Sequence, residues 1–263
     1  MTKVTVSGAA GRMGRSILSL LQEEKVALAT ALEYDGHPLL GTDAGLLFGA
    51  DALDIRISSN AKMAVQSCDV VIDFSTPANT MQLLALCVDE NRPIVIGTTG
   101  LSAKDQEAVQ KASATIPVLA SPNMAVGVNA LFALVAKAAR LMNDGFDVEI
   151  SEIHHHFKKD APSGTAVKLR DIVTGVHRTD DSQIVYGRHG IVGERPDGEV
   201  GVHAIRGGDV VGEHTVYFFA DGERVELTHR ATSRKIFARG ALRAAKFIAS
   251  KPAGNYSMMD VLG

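Results

Sequence analysis

The sequence predicts two joined units of different build: an α/β domain with a parallel sheet, then an α+β domain with a mainly antiparallel sheet. Three observations carry the prediction. Short β-rich runs alternate with helical patterns through the first 125 residues, as a parallel sheet with helices on both faces requires. A glycine-rich turn beginning at Gly8 joins the first strand to the first helix. Beyond about residue 125 the texture changes to a long helix, a strand, a second helix and a series of β segments.

The first strand is Lys3 to Ser7. Arg12 to Gln22 carries apolar residues at Met13, Ile17, Leu20 and Leu21, a helical spacing. Val26 to Leu32 reads as a second strand, and Asp69 to Phe74 as a third, continuously apolar one. Pro77 opens a helix to about Glu90, where its fixed φ suits a first turn. A strand at Pro93 to Gly97 follows, then a helix that Ser102 and Asp105 begin as a capping box, then a strand at Ile116 to Ala120. The second unit holds a helix at about Asn129 to Met142, a strand at Asp147 to Ile153 and a helix near Thr165 to Val173. Its β runs are Ile184 to Tyr186, Val200 to Arg206, His214 to Ala220 and Arg224 to His229, with Asp221-Gly222 as a hairpin turn. A last helix spans about Lys235 to Ala249. The expected division is residues 1–125 with 235–263, and residues 126–234.

Composition narrows the function classes. In 263 residues, 27 Lys and Arg nearly balance 30 Asp and Glu, for a net charge of −3. No basic surplus speaks for nucleic acid or an anionic membrane as partner. With 46% hydrophobic residues, 5% aromatic and no Trp, the chain has a real but aliphatic core. Cys68 and Cys87 are expected as reduced thiols. The chain enters its first strand without a signal-like apolar segment. Its longest charge-free stretch, Ala112 to Ala136, is broken by Pro117, Pro122, Asn123 and Gly127. A cytoplasmic location is the expectation.

Gly8-Ala9-Ala10-Gly11-Arg12-Met13-Gly14 lies between a strand and an amphipathic helix. Backbone amides at such a turn bind a pyrophosphate, and glycines let the chain approach it closely. The spacing is G-x-x-G-x-x-G, with Ala10 where the commoner pattern has its second glycine. In this context the pattern points to a Rossmann-like dinucleotide site; an ordinary strand–helix turn or a mononucleotide site are the alternatives. Glu33, ending the second strand, suits the adenosine ribose hydroxyls and repels a 2′-phosphate, which favours NAD over NADP. Gly97-Thr98-Thr99-Gly100 and Ser121-Pro122-Asn123-Met124 follow later strands, where an open α/β sheet binds its ligand and where a nicotinamide riboside would fit.

The segment Glu152 to Ala166 is the richest in chemistry: Glu-Ile-His154-His155-His156-Phe-Lys158-Lys159-Asp160-Ala-Pro-Ser163-Gly164-Thr165-Ala. Zinc binding is one reading, although adjacent histidines on an extended chain alternate in direction and no further pair completes a tetrahedron. A solvated basic loop is another. The third is a site for an anionic substrate: Lys158 and Lys159 supply charge, and Ser163-Gly164-Thr165 offers amides and hydroxyls at a helix start. A histidine among them can donate a proton near neutral pH. Hydride addition to an unsaturated or imine-bearing acid needs such a donor.

That segment fills every fixed position of the E-x-H-H-x-x-K-x-D-A-P-S-G-T-A signature of the dihydrodipicolinate reductase family. The chain also resembles that family at Arg12-Met13-Gly14, Asp73-Phe74, Gly97 to Gly100, Asn123, Gly127-Val128-Asn129 and Arg206 to His214, in order and over nearly its whole length. The resemblance implies NAD(P)H-dependent reduction of 4-hydroxy-tetrahydrodipicolinate, by way of dihydrodipicolinate, to tetrahydrodipicolinate and water, in the diaminopimelate route to lysine. Hydride would go to C4 and a proton from His154 to C3, with Lys158 as an assisting cationic acid. It also implies His155, Ser163, Gly164 and Thr165 as substrate contacts, Gly8 to Met13, Glu33, Gly97 to Thr99 and Ser121 to Met124 as cofactor contacts, and a homotetramer formed through the second unit's sheet. Apolar alternation at Val200, Val202 and Ala204 would then have a partner surface to bury against.

The chain departs from some family members at the cofactor end. Tyr34 stands where they carry an Arg beside the 2′-phosphate, and no Arg follows Asp73-Phe74-Ser75-Thr76. Arg12 is the remaining nearby cation, so a modest preference for NADH is expected. Another two-domain nicotinamide enzyme, such as an aspartate dehydrogenase, needs the glycine loop but not the complete His–Lys segment. A non-catalytic NAD sensor would have no need of His154 and Lys158, and a zinc hydrolase would hold a stoichiometric ion. Closure about residues 125–129 and 230–235 is expected, because cofactor and substrate residues fall in different units.

Overall fold

The computed structural model describes residues 1–263. They form two units, Met1–Val126 with Lys235–Gly263, and Gly127–Arg234. The first unit contains β1 (Lys3–Ser7), α1 (Arg12–Leu18), β2 (Ala27–Leu32), α2 (Ala61–Gln66), β3 (Val70–Asp73), α3 (Pro77–Asp89), β4 (Ile94–Ile96), α4 (Ala103–Ala112) and β5 (Pro117–Ala120). The second begins with α5 (Val126–Leu141), whose first residue falls in the first unit. It continues with β6 (Asp147–His154), α6 (Gly164–His177), β7 (Ile184–Val185), β8 (Val200–Arg206), β9 (Gly212–Ala220) and β10 (Glu223–Ala231). The chain then returns to the first unit with α7 (Lys235–Ile248), β11 (Gly254–Tyr256) and α8 (Met258–Leu262).

The first unit is a six-stranded sheet in the order β11-β5-β4-β3-β1-β2, with every pair parallel. Side chains alternate across it, as the two-residue strand period dictates. Val4, Val6, Val70, Ile72, Val95 and Leu119 join one core with α1, α7 and α8. Val71, Ile94, Ile96 and Val118 join a second core with α2, α3 and α4. Being covered on both faces is why β3 reads as a continuous apolar run. The Ser102–Asp105 capping box forms at α4, satisfying orphan amides worth about 1 kcal/mol. Cys68 and Cys87 are buried free thiols.

The second unit is a five-stranded mixed sheet, β10-β9-β6-β8-β7. Its β10–β9 and β9–β6 pairs are antiparallel, while β6–β8 and β8–β7 are parallel. The antiparallel half is the part whose hairpin turn is visible in sequence. One face packs Val148, Ile150, Val200, Val202, Val216 and Phe218 against Leu131 and Val135 of α5 and Leu169 and Val173 of α6. Val200 and Val202 are therefore buried inside their own unit, with no second chain needed to explain them, and Ala204 is exposed. On the opposite face Glu149 pairs with Arg188, Arg195 and His203, tying the segment before β8 to β6.

Candidate active site

In the first unit the predicted cofactor residues gather at the carboxyl ends of the strands. Gly8 adopts φ +72°, and a Cβ there would meet the Phe74 carbonyl oxygen at 2.4 Å, so only glycine fits the turn. The amides of Gly8, Ala9, Ala10 and Gly11 are used within the protein, so the donors left for an anion are the first amides of α1, which opens after Gly11 without a side-chain cap. Glu33 reaches the same loop: its Oε1 accepts from the Ala10 amide at 2.7 Å. Tyr34, next in the chain, is 62% exposed and stands edge-on to His37. A cavity of about 460 Å³ brings Thr98, Thr99 and Gly100 together with Ser121 and Pro122. The Met124 side chain lies instead in the core. An acceptor-rich carboxylate beside a glycine loop, with hydroxyl-bearing loops at the later strand ends, suits a nicotinamide dinucleotide.

Asp73 organises these loops. Its fully buried carboxylate accepts from Ser75 Oγ at 2.6 Å, Thr80 Oγ1 at 2.5 Å and Thr98 Oγ1 at 3.0 Å. It thus joins the end of β3, the first turn of α3 and the loop after β4. Hydrogen bonds from three hydroxyls are what let the carboxylate lie out of water.

In the second unit the apolar sheet face turns polar at one end. Along β6 the buried positions are Val148, Ile150, Glu152 and His154. Register places His214 of β9 opposite Glu152, and Arg206 of β8 opposite His154. Glu152 Oε2 lies 2.5 Å from His154 Nδ1, and Arg206 reaches both carboxylate oxygens, at 2.7 and 2.8 Å. The Ser163 amide adds a fourth bond, to Oε1 at 3.0 Å. Burial opposes ionisation of Glu152, but the bonds from Arg206, His154 and Ser163 outweigh it and hold its pKa below the usual carboxylate value.

His154 is 9% exposed, and Gly212 makes room for its ring: a Cβ there would stand 2.9 Å from Nε2. With Nδ1 bonded to Glu152, Nε2 is the nitrogen left for proton transfer. Burial, together with the Lys158 and Arg206 charges, pushes its pKa below the ordinary histidine value despite the opposing pull of Glu152. Lys158 Nζ contacts both oxygens of Asp160 at 2.9 Å. His155 and His156 donate their amides to the carbonyls of Val210 and Gly208, which pins the segment to the loop after β8.

The three histidines separate because β6 ends at His154 and the chain turns at His156 and Phe157, so they do not alternate along one extended strand. His154 is buried, His155 half-buried and His156 exposed, and no group of three His, Cys, Asp or Glu side chains is arranged to hold a metal ion. Ser163 is the N-cap of α6, its Oγ accepting from the Ala166 amide, with Gly164 and Thr165 opening the helix. Sequence reasoning gave no role to Glu152, Arg206, His214, Asp73 or Asp160. The i, i+2 spacing of Glu152 and His154 on a strand already put them on one face. Arg206 and His214 come from other strands, so only the pairing register reveals them.

A glycine-loop parallel sheet, with a second unit ending in a buried histidine–carboxylate–arginine cluster, is the architecture of a Rossmann-like nicotinamide oxidoreductase. Family models for the dihydrodipicolinate reductase N-terminus and C-terminus match residues 2–124 and 127–262. The chain belongs to the dihydrodipicolinate reductase family. It is 52% identical over 265 residues to the 4-hydroxy-tetrahydrodipicolinate reductase of Anaeromyxobacter sp. strain Fw109-5, covering 100% of this chain and 98% of that one. Identity to the enzyme of the same name from Syntrophotalea carbinolica is 49%, covering 100% and 99%. Among solved structures, a dipicolinate-bound dihydrodipicolinate reductase from Paenisporosarcina sp. TG-14 shares the fold, with TM-score 0.77 and 21% identity over 98% of this chain and 97% of that one. No helix is long and apolar enough to cross a membrane.

Proposed function

We propose that the chain reduces 4-hydroxy-tetrahydrodipicolinate to tetrahydrodipicolinate, serving the diaminopimelate route to lysine. Water is first lost from the 4-hydroxy acid to give the dihydro compound; hydride then adds at C4 and a proton at C3. The reduced nicotinamide, when bound, supplies the hydride. His154 delivers the proton from Nε2, the ring held by Glu152 through Nδ1. Lys158 acts beside it as a fixed cation and assisting acid, leaving Asp160 for the substrate's carboxylate. His155, Ser163, Gly164 and Thr165 hold the dicarboxylate, using side-chain donors and the amides at the start of α6. Gly8 to Met13, Glu33, Gly97 to Thr99 and Ser121 to Met124 hold the cofactor, with NADH favoured over NADPH. Assembly as a homotetramer through the second unit belongs to the same reading.

The observation that carries this reading is the anchored His154: one ring nitrogen is fixed on a buried carboxylate and the other is left to transfer a proton. Support comes also from full-length relatives bearing this activity's name at about half identity. The test is oxidation of reduced nicotinamide by the purified protein, with substrate made in place from pyruvate and aspartate semialdehyde by the preceding synthase. Rapid turnover is expected. No turnover by protein that binds NADH would overturn the reading.

A further inference from the structure

His214 is buried and lies beside His154, the proton donor of the proposed reaction, and that reading gives it no role. It is 4% exposed and stands edge-on to His154, with ring centroids 5.1 Å apart. Its Nε2 is 3.0 Å from Ser163 Oγ, and its Nδ1 is buried with no hydrogen-bond partner. Burial first, and then the neighbouring His154, push its pKa down to about 3, so the ring is neutral at working pH and carries a single N–H.

That hydrogen has two candidate seats. On Nδ1 it would be a buried N–H with no acceptor, which folded proteins rarely tolerate. On Nε2 it is donated to Ser163 Oγ, and Nδ1 keeps only an unshared lone pair. Once a ligand oxygen accepts the Ser163 hydrogen, the second arrangement leaves no donor unpaired and is the cheaper one. Ser163 Oγ then accepts twice, from His214 Nε2 and from the Ala166 amide at 3.2 Å. Both its lone pairs are used, and the structure gives its own hydrogen no acceptor. The hydroxyl is left able only to donate.

We propose that His214 is a positioning residue for ligand binding: by donating Nε2–H to Ser163, it fixes the Ser163 hydroxyl as a hydrogen-bond donor for an anionic ligand oxygen. The inference rests on the reading of Ser163 as a substrate contact, and adds which way that hydroxyl faces and what sets it. The opposite tautomer would present a lone pair to a carboxylate and weaken binding. His214 thereby contributes to selection of a carboxylate over a ligand that offers a donor at the same point.

The test is titration of dipicolinate into the NADH-saturated protein. Ser163→Ala is expected to weaken dipicolinate binding about tenfold, the scale of one hydrogen bond to a charged group. His214→Leu should weaken it about fivefold by freeing the hydroxyl to turn, and His214→Gln, which keeps an N–H at similar reach, should stay within about twofold of the parent. The two sites should not add: His214→Leu placed in Ser163→Ala should cost nothing more. Unchanged NADH affinity shows that each variant is folded. An equal loss from His214→Leu in both backgrounds, or failure of Gln to rescue, would overturn the proposal and leave His214 as packing. A parent protein that binds NADH but not dipicolinate would overturn the substrate reading itself, and this inference with it.

Discussion

Glu152 Oε2 sits 2.5 Å from His154 Nδ1, two residues away on the same face of β6, and the carboxylate is wholly buried. The pair sets the proton inventory of the second unit's site. Glu152 raises the pKa of His154, while burial, Lys158 and Arg206 lower it, and the lowering wins. The proton-bearing form of free His154 therefore prevails only below the ordinary histidine range, and kcat/KM is expected to fall as pH rises through that depressed value. Glu152→Gln removes the one raising influence and leaves Arg206 uncompensated. The falling limb should move to lower pH, with kcat/KM near neutrality reduced about tenfold or more. A limb that stays in place or moves to higher pH would refute this account of the pair.

Cofactor choice follows from charge. Glu33 lies at the glycine loop, and the residue beside it is Tyr34 rather than a cation. NADH is expected to be favoured over NADPH in kcat/KM by about twofold to tenfold, and Tyr34→Arg should narrow or reverse that ratio. Equal or better use of NADPH by the parent protein would refute the argument.

Asp73 is expected to matter for both stability and cofactor binding. Asp73→Asn replaces an acceptor of three hydroxyls with a group that can accept fewer, at a cost of about 2 kcal/mol in denaturant unfolding. Because Thr98 is one of the three donors, the KM for NADH should rise while dipicolinate affinity holds. A variant as stable as the parent, with unchanged KM, would show the cluster to be incidental.

Glu149 gives a prediction about folding alone. Burial opposes its ionisation, but hydrogen bonds from Arg188, His203 and Arg195 outweigh that and hold its pKa below 4.5. A depressed folded-state pKa contributes stability above the ordinary value, and that contribution is lost as pH falls through the folded one. Glu149→Gln should cost about 1–3 kcal/mol near neutral pH, and the gap between variant and parent should shrink in acid. A gap independent of pH would mean that packing, not charge, is at stake.

The parts of the structure legible in sequence are those written locally. Pro77 at the start of α3, the Ser102–Asp105 box at α4 and the Asp221-Gly222 turn each set their element within a few residues. The glycine loop was legible because its neighbours are a strand and a helix. Elements without such signals escaped: α2 has six residues and β11 three, too short for a periodic pattern, and β11 exists only because β5 pairs with it. The sequence places the end of this helix near Val173, yet α6 runs on to His177, whose Nε2 bonds the Ala139 carbonyl in α5. The parallel β6–β8 pairing was invisible for a different reason. It depends on tertiary register, and the same register brings Arg206 to Glu152 from 54 residues along the chain. His154 and Lys158 could be named from their motif, but the groups that orient them could not.

The most direct measurement is steady-state turnover of His154→Ala and Lys158→Ala beside the parent, with NADH and dipicolinate affinities measured on the same preparations. Removing a general acid is expected to lower kcat by about a hundredfold to ten-thousandfold. His154→Ala should show that loss while still binding NADH and dipicolinate, and Lys158→Ala should lose both turnover and dipicolinate affinity. Undiminished kcat in His154→Ala would contradict the assignment of the proton to that residue, and with it the role given to Glu152.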